Sequence, residues 1–597
     1  MKLNVVPKAT DFELAVDREP ARYELARARQ LARAWASTLP EPRRRGMAAL
    51  FTQATFEAYR QAAYSQARLS TPFCVPHGNL DKSVALLAAT IGAEAAALPI
   101  VEAAFYLTGL YTALLTGSER NAMGAFYTPP ALADRLLDLA EEQGIDWKSA
   151  SVLDPASGGG AFLLPAALRI RASLRTTDPA LILQQLGARL VGIELDAYAA
   201  WFGQAALELA LSDLALAARQ PVPIMVRVAD TLEETPKAVF DLVIGNPPYG
   251  RVALSSEQRD RFKRSLYGHA NLYGVFTDIA VRWVRPKGVI AFLTPTSMLG
   301  GHYFSALRRT LAAEAPPVAI DFVHARSGVF EDVLQETLLA IYSRGAKAGR
   351  IQVHYVQVIN EREVRLVRNG KIALPAIPSQ PWIAPREPSQ AGLVAAAEAM
   401  PCRLSDWGYS VSTGPLVWNR FKEQMRDHAT KDTLPLIWAE SVTADGRFIY
   451  RAERRNHAPH FKVEAKDAWL IVQDACVLVQ RTTAKEQPRR LIAAELPAGF
   501  IKAHRGVIVE NHLNMVRCSS SPTVSPATVA AILNSDVIDQ LFRCISGSVA
   551  VSAFELEALP LPSPSAMKRL DDMTKSNASR ASIEIELRRC YGLEKSA

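Results

Sequence analysis

The residues best suited to chemistry follow a short apolar strand in the middle of the chain. A mainly apolar run from Phe240 to Ile244 stops at Gly245, and Asn246-Pro-Pro-Tyr249 comes next. Because proline lacks an amide donor and restricts the residue before it, this motif cannot continue the strand. It therefore holds a carboxamide, a fixed carbonyl and a flat ring at the carboxyl end of a strand, where open α/β sheets bind ligands. Such groups suit a planar amine.

A glycine-rich turn follows a second predicted strand. Ser151-Val-Leu-Asp154 ends in a carboxylate, and Pro155-Ala-Ser-Gly-Gly-Gly160 leads into a helix predicted from Phe162. Glycines let the backbone approach a ligand closely and expose amides at a helix N-terminus. The turn, which contains Ala156 and Gly158, matches neither the dinucleotide fingerprint nor the P-loop, since no Gly-Lys-Ser/Thr follows.

Two further predicted strands end in acidic residues. Leu190 to Asp196 carries Glu194, and Met225 to Asp230 ends in Asp230. An acid at the end of the second strand of a doubly wound sheet commonly binds ribose hydroxyls, which favours Glu194 with Asp196 in reserve. Asp230 is placed to accept from an adenine amine. A single acidic residue at a strand end is usually exposed to solvent. Several consecutive strands that each end in a polar or acidic side chain favour a ligand site instead.

Thr128-Pro-Pro130 opens a helix predicted over Ala131–Gln143. A hydroxyl followed by proline is typical of a helix N-terminus, so Thr128 is expected to cap this helix. An exposed helix N-terminus with a hydroxyl can hold a carboxylate.

The strand ends need one sheet to bring them together. Strands alternate with helices over this part of the chain, which is typical of a doubly wound α/β sheet. The pattern predicts an amphipathic helix at Asn271–Arg285. It also predicts later strands at Val289–Leu293, Val318–Ala325 and Thr337–Ser343.

Three domains are predicted. Residues 1–118 mix alanine, leucine and arginine at helical spacing and predict a helical domain. The α/β domain covers residues 119–378, and the proline-rich stretch Leu374–Pro388 is predicted to be a linker. Residues 390–597 contain short strand-like and helical segments and predict an α+β domain.

Charge and composition leave a polyanion partner open. The 597-residue chain has a formal net charge of +8 and a pI of about 9.1, which suits such a partner without requiring one. A basic loop, Val479 to Arg490, contains side chains that can neutralise phosphates or read guanine edges. These candidate DNA contacts are Arg481, Lys485, Arg489 and Arg490. The alternative is that these basic residues only form a charged segment exposed to solvent.

Other features exclude several classes of protein. The six cysteines are scattered without a CxxC pair, so neither a zinc site nor a disulfide framework is expected. The N-terminus lacks the apolar segment of a signal peptide. The most apolar stretch, Val84 to Leu107, is interrupted by Glu94, Pro99 and Glu102, so it is interpreted as buried helices rather than a membrane span. A reduced, cytoplasmic protein is expected.

In their order, these motifs resemble the gamma class of DNA adenine-N6 methyltransferases, the TaqI-like group of restriction–modification systems. Ser/Asn/Asp-Pro-Pro-Tyr/Phe after a strand is the signature of methyltransferases that act on planar amino groups. The resemblance is close over residues 120–350 and looser over 400–565, where the chain is similar to a target-recognition domain. The residues that carry it are Tyr127-Thr-Pro-Pro130, Asp154 to Gly160, Glu194, Asp230 and Asn246 to Tyr249.

The resemblance implies a fold and a cofactor. The fold is a Rossmann-like class I sheet that binds S-adenosylmethionine, with an N-terminal helical domain and a C-terminal α+β target-recognition domain. Thr128 would hold the carboxylate of the cofactor and Glu194 its ribose hydroxyls. Asp230, with Thr231 and Leu232, would frame its adenine. The remaining cofactor-binding residues that it implies are Asp154, Ala156, Gly158 and Pro248.

The resemblance also implies a mechanism on double-stranded DNA. The Asn246 amide oxygen and the Pro247 carbonyl would accept hydrogen bonds from the two N–H groups of an adenine amine. These bonds would aim the lone pair of the amine at the methyl group. The base must leave the duplex to be reached. Tyr249 would stack on it, with Phe330 in the loop Arg326–Gln335 as a second aromatic. No metal is expected. A monomer in a bacterial or archaeal cytoplasm is expected, and a cognate restriction endonuclease is left open.

Several alternatives are weaker. A cytosine-carbon mechanism would use a thiol after proline, but Pro401-Cys402 lies outside the predicted sheet. Protein-glutamine and ribosomal RNA methyltransferases share the motif but usually lack so large a second domain. A fused restriction and modification enzyme would need a nuclease motif, and Glu464-Ala-Lys466 fits only its end. A recognition subunit with an inactive methyltransferase fold is disfavoured by the intact motifs.

Overall fold

The computed structural model describes residues 19–76, 78–123, 128–325, 336–482, 487, 489–518, 521–547 and 550–593. Its N-terminal part is helical, as predicted. The second helix begins with a proline in its first turn, where the missing amide donor costs nothing. The helices are α1 (Glu19–Ser37), α2 (Glu41–Ala63), α3 (Lys82–Ala95), α4 (Ile100–Leu114) and α5 (Gly117–Met123).

The middle of the chain forms a mixed sheet of nine strands and a separate hairpin. The hairpin pairs the fifth and sixth strands and follows directly on the Asn246–Tyr249 motif. The strands are β1 (Val152–Asp154), β2 (Leu190–Glu194), β3 (Val226–Val228), β4 (Phe240–Gly245), β5 (Arg251–Val252), β6 (Ala270–Asn271), β7 (Val284–Pro295), β8 (Pro317–Ala325), β9 (Thr337–Ser343), β10 (Ile351–Val358) and β11 (Val364–Ile372).

The strand order confirms the predicted doubly wound sheet. It runs β3-β2-β1-β4-β7-β9-β8-β10-β11, and the first five of these strands are parallel. Strand β9 is antiparallel to both of its neighbours. The antiparallel hairpin of β10 and β11, which the sequence reading did not include, extends the sheet beyond β8. Because β1 to β4 are parallel neighbours, their carboxyl ends meet at one edge.

Helices cover both faces of the sheet. The N-terminal helices pack onto one face through α9, where the Phe56 and Phe202 rings stack with centroids 5.6 Å apart. Helices α12 and α14 bury the other face. The helices of this region are α6 (Pro130–Glu142), α7 (Leu163–Ser173), α8 (Pro179–Arg189), α9 (Ala197–Ala210), α10 (Ser212–Ala218), α11 (Ser256–Arg261), α12 (Leu272–Trp283), α13 (Ser297–Gly300) and α14 (Ser305–Glu314).

The C-terminal part combines helices with two further sheets, ordered β12-β20-β17-β18 and β13-β15-β14-β19-β16, so its predicted α+β character is confirmed. The strands are β12 (Tyr409–Thr413), β13 (Met425–Arg426), β14 (Thr433–Ile437), β15 (His460–Lys462), β16 (Ile471–Val472), β17 (Cys476–Gln480), β18 (Ala493–Leu496), β19 (Val507–Val509) and β20 (Leu513–Cys518). The helices are α15 (Ala391–Glu398), α16 (Ala498–His504), α17 (Pro526–Leu533), α18 (Asp536–Ile545), α19 (Ala553–Glu557), α20 (Pro564–Lys575) and α21 (Arg580–Cys590).

The proline-rich stretch predicted to be a linker is packed into the molecule. Trp382 is fully buried, and its amide donates to the Leu299 carbonyl at 2.8 Å. The buried guanidinium of Arg308 donates to the carbonyls of Ser379 and Gln380. The amide of Ala384 donates to Cys544 of α18 at 3.2 Å. The stretch therefore connects the central sheet with the C-terminal helices as a packed segment, because the buried indole and the carbonyl hydrogen bonds fix it in place.

Replacing Trp382 with alanine tests this packing. Loss of a buried indole is expected to lower the free energy of unfolding by about 3–5 kcal/mol, since it leaves a cavity. Trp469→Ala is the matched control, because that indole is 65% exposed and its loss should change stability by no more than about 0.5 kcal/mol. Urea unfolding of both variants measures the difference. Equal effects would mean that the stretch is a loose spacer after all.

Candidate functional site

A cavity of about 320 Å³ opens at the carboxyl edge of β1 to β4, a size typical of small-molecule sites. Its walls come from the glycine turn after β1, the ends of β2 and β3, and the motif after β4. The predicted residues that line it are Thr128, Ala156, Gly158, Glu194, Asp230, Asn246 and Pro248. Tertiary structure thus joins the predicted cofactor side and the predicted catalytic motif in one cavity.

The glycine turn and Glu194 hold each other in place. The Glu194 carboxylate accepts hydrogen bonds from the amides of Gly158 at 2.8 Å and Asp196 at 2.9 Å. Gly158 has φ +49°, a conformation that favours glycine. A Cβ on Gly203 of α9 would lie 3.1 Å from the Gly158 carbonyl, so helix and turn touch through their backbones. Burial raises the pKa of Glu194, and the charge of Asp196 adds to that shift.

Asp154 lies beneath the turn and not in the cavity wall. It is fully buried and accepts a hydrogen bond from the Ala156 amide at 3.1 Å. Burial raises its pKa from 3.8 to about 8, and the charge of Glu194 adds to the effect. A Cβ on Gly245 would lie 2.8 Å from its Oδ1, so Asp154 packs directly against the end of β4. The structure supports a role in shaping the turn, and direct cofactor contact by Asp154 stays a prediction.

The pKa of Asp154 predicts how stability depends on pH. Because the folded state holds this proton more tightly than the unfolded chain does, the contribution is fully present below pH 3.8 and is lost as the pH rises through about 8. The Asp154→Asn variant keeps the acceptor oxygen and cannot ionise. Its free energy of unfolding should therefore fall less than that of the wild type between these pH values. Parallel pH profiles from chemical unfolding of the two ligand-free proteins would contradict the assignment.

The segment after β3 closes the cavity on another side. The Asp230 carboxylate accepts a hydrogen bond from the Leu232 amide at 2.9 Å, which fixes a tight turn. Thr231 donates its hydroxyl to the Pro155 carbonyl at 2.6 Å and so ties this turn to the glycine turn. Asp230, Thr231 and Leu232 all line the cavity.

Thr128 lines the cavity and does not cap helix α6. Helix α6 begins at Pro130, and its N-terminus has no side-chain cap, which corrects the prediction that the Thr128 hydroxyl caps it. The hydroxyl instead accepts a hydrogen bond from the Asn246 amide nitrogen at 3.2 Å. This bond restricts rotation of the Asn246 carboxamide. It also links the predicted cofactor-carboxylate residue to the predicted catalytic residue.

Tyr249 is anchored by both its hydroxyl and its ring. The hydroxyl donates to the Leu293 carbonyl at 3.4 Å, and the ring meets that of Tyr273 edge to face at 6.0 Å. Burial raises its pKa above the usual value. The ring is half-buried, and Pro247 before it is buried. Neither residue is part of the cavity wall, so their contacts with a substrate base stay predictions.

Some predicted residues lie outside the described part of the chain, namely Tyr127, Phe330 and Lys485. The side chains of two arginines of the basic loop already have partners within the protein. Arg481 donates to the Asn511 carbonyl, and Arg489 donates to the carbonyls of Asn534 and Ala444. The backbone amide of Arg490 is held by Asp539. Their contact with DNA remains a prediction.

The alternatives find little support among the described residues. Cys402 pairs with Leu561 in an isolated bridge and is not part of the cavity wall. Glu464 and Lys466 form an ion pair with each other at 2.9 Å. Within the described ranges, no group of three or more His, Cys, Asp or Glu residues could hold a metal ion. None of the helices there is long and apolar enough to cross a membrane.

Sequence reasoning missed several residues that line the cavity. Tyr111 and Thr112 come from the end of α4, in the N-terminal helical block, for which the sequence predicted helices and no site residue. Val252, Leu272 and Phe276 form an apolar wall beside the predicted catalytic motif. No local pattern marks Tyr111, because its position depends on how α4 packs against α9. The apolar wall follows Asn246–Tyr249 closely in sequence, so proximity to the motif was the available signal.

Comparison with known proteins adds independent findings. The sequence profile of the family described as Eco57I restriction-modification methylase matches residues 223–330, which include Asn246 to Tyr249. The type II methyltransferase M.BsuBI of Bacillus subtilis is 24% identical over 461 residues, 74% of this chain and 88% of that protein. The type II methyltransferase M.PstI of Providencia stuartii is 26% identical over 356 residues, 57% of this chain and 68% of that protein.

A solved structure matches nearly the whole chain. The electron cryomicroscopy structure of a DrdV–DNA complex covers 94% of this chain and 70% of its own, with a TM-score of 0.50 and 12% sequence identity. At this identity the likeness concerns the fold alone. It extends beyond the central sheet into the N-terminal and C-terminal regions.

Proposed function

We propose that this chain, a methyltransferase of the restriction–modification type with a class I fold, methylates the N6 amine of adenine in double-stranded DNA. The methyl donor is S-adenosylmethionine. The single observation that carries the proposal is the shared cavity. There the carboxamide of Asn246 meets the hydroxyl of Thr128, and Glu194 and Asp230 complete the wall.

The cavity fits S-adenosylmethionine by its chemistry. When bound, this cofactor supplies a methyl group on a sulfonium, which a nucleophile can take. The glycine turn allows close backbone approach, as a methionine moiety requires. The Glu194 carboxylate, fixed by two amides, accepts from ribose hydroxyls. Asp230 and the turn that it forms with Leu232 frame the adenine.

The motif after β4 orients the base. An exocyclic amine is a poor nucleophile, because its lone pair is conjugated into the ring. The Asn246 amide oxygen and the Pro247 carbonyl accept hydrogen bonds from the two N–H groups of the amine. These bonds favour tetrahedral geometry at its nitrogen. The half-buried ring of Tyr249 stacks on the base. Catalysis comes from orientation and electrostatics, with no covalent intermediate on the protein. As the nitrogen gains the methyl group, the bond from that carbon to the sulfonium sulfur would break and leave a neutral thioether, and the nitrogen would lose a proton to solvent.

Three observations favour DNA as the substrate. The net charge of +8 suits a polyanion, and the chain has a second folded region, the C-terminal α+β part, beyond the central sheet. The DrdV structure, which shares this fold, is a complex with DNA. An adenine amine inside a duplex cannot reach the cavity, so the base must be flipped out. Arg481, Lys485, Arg489 and Arg490 are the proposed contacts of the C-terminal region with DNA.

The purified protein tests this function directly. It is incubated with duplex DNA and methyl-labelled S-adenosylmethionine, and the DNA is digested to nucleosides for mass spectrometry. The expected product is N6-methyladenine. Methylated cytosine would overturn the base assignment, and DNA without label would overturn the substrate class. Sequencing of modified bases in DNA from cells that express the protein then identifies the recognition site.

A further inference from the structure

The N-terminal helical block reaches the cavity at one point. Tyr111 and Thr112, at the end of α4, line the cavity together with Glu194 and Leu195. The Tyr111 side chain is fully buried, and its ring packs against Phe202 of α9 with centroids 5.4 Å apart. A helix outside the central sheet therefore supplies part of the wall beside the carboxylate at the end of β2.

A hydrogen-bond network connects Tyr111 with the acidic loop after β2. Its hydroxyl donates to Asp196 Oδ2 at 2.8 Å. Arg45 of α2 donates from Nε to the same hydroxyl at 3.3 Å, and its Nη2 lies 3.2 Å from Asp196 Oδ1. Asp196 also caps α9 by accepting from the Tyr198 amide at 3.0 Å. Two N-terminal helices thus hold a buried carboxylate of the central fold.

This network acts on Glu194 through one bond. The Asp196 amide donates to Glu194 Oε1 at 2.9 Å, so the position of Asp196 sets the position of the Glu194 carboxylate. Burial raises the pKa of Glu194, and repulsion between the two carboxylates adds to that shift. Arg45 offsets the charge of Asp196. Without Tyr111 and Arg45, the buried Asp196 would lose two of its partners and the loop would be free to shift.

We propose that the N-terminal helical block completes the cofactor site, with Tyr111 and Arg45 as positioning residues for Glu194 through Asp196. This inference rests on the proposed use of S-adenosylmethionine. Simple packing is the competing explanation, because Tyr111 also contributes its ring to the core. The Tyr111→Phe variant separates the two explanations, since it keeps the ring and removes only the hydroxyl.

The test measures cofactor affinity and kinetics in the full-length protein. Calorimetric titration of Tyr111→Phe with S-adenosylmethionine should give a Kd raised about tenfold, the usual effect of losing a hydrogen bond to a charged group. KM for the cofactor should rise in parallel, while kcat at saturation stays near the wild-type value. Tyr59→Phe is the matched control, because Tyr59 is a buried tyrosine of the same helical block that does not line the cavity.

The outcomes distinguish this inference from the proposed function. Wild-type protein that fails to bind S-adenosylmethionine would overturn the proposed function. If the wild type binds S-adenosylmethionine and Tyr111→Phe binds it equally well, the inference about Tyr111 is overturned and the proposed function is not. Arg45→Gln is the second variant if Tyr111→Phe fails to fold, because the Arg45 side chain is about half exposed at 48%. It should weaken cofactor binding in the same direction, and unchanged affinity would again overturn the inference.

Discussion

Replacing Asn246 with alanine is expected to lower kcat for methyl transfer at least about 100-fold, while the Kd for S-adenosylmethionine changes by no more than about threefold. The reason is the location of the side chain. Asn246 extends from the end of β4 into the cavity, and its amide nitrogen donates to Thr128. Its loss removes the acceptor that orients the amine, while Glu194, Asp230 and the glycine turn remain to hold the cofactor.

Asn246→Asp is the matched variant for this prediction. Aspartate keeps an acceptor oxygen at the same position, so this variant should retain much more activity than the alanine variant. Single-turnover kinetics with duplex DNA measure the chemical step, and calorimetry measures cofactor affinity. If Asn246→Ala methylates DNA as fast as the wild type, the proposed mechanism is wrong. If it loses cofactor affinity instead, Asn246 belongs to the cofactor site and not to the base site.

The Glu194→Gln variant is expected to bind S-adenosylmethionine about 10–100-fold more weakly, the range for losing a charged hydrogen-bond acceptor. Glu194 accepts from two backbone amides with its two oxygens. Glutamine has one acceptor oxygen, so its amide NH2 group, which only donates, must face one of these N–H groups or the ribose. The side chain at position 194 therefore no longer matches both the amides of the turn and the hydroxyls of the cofactor. At saturating cofactor, kcat should stay close to the wild-type value.

Calorimetric titration and steady-state kinetics check the Glu194 prediction. Glu453→Gln is the control, because that carboxylate is exposed in the C-terminal region and outside the cavity wall. Thermal unfolding of the ligand-free variants shows whether the turn itself has been lost. A Glu194→Gln protein with normal cofactor affinity would remove this residue from the site. Together with Asn246→Ala, the variant separates cofactor binding from chemistry.

The ends of β1 to β4 could be predicted from the sequence because each is a local event. A short, mainly apolar run stops at a polar or acidic residue, and proline follows directly at Asp154 and Asn246. Asp154, Glu194, Asp230 and Asn246 were identified in this way. Parallel strands in a doubly wound sheet end at the same edge, so the sheet prediction alone brought these residues near one another. Glu194, Asp230 and Asn246 do line one cavity.

The tertiary structure decided how these groups are used. Thr128 has the local signature of a helix cap, yet its hydroxyl accepts from Asn246, far away in the sequence. The stretch around Trp382 has the composition of a linker, yet it is buried. Tyr111 lies in a helix without any motif, yet it lines the cavity and donates to Asp196.

The physical reason is the range of the interactions. Breakers, caps and apolar periodicity act over a few residues, so the sequence by itself determined the strand ends and the central fold. Burial and hydrogen-bond partners depend on which surfaces pack together across the whole chain. Only the packing of α2 and α4 against α9 could place Arg45 and Tyr111 beside the acidic loop. The tertiary structure therefore decided which residues complete the site.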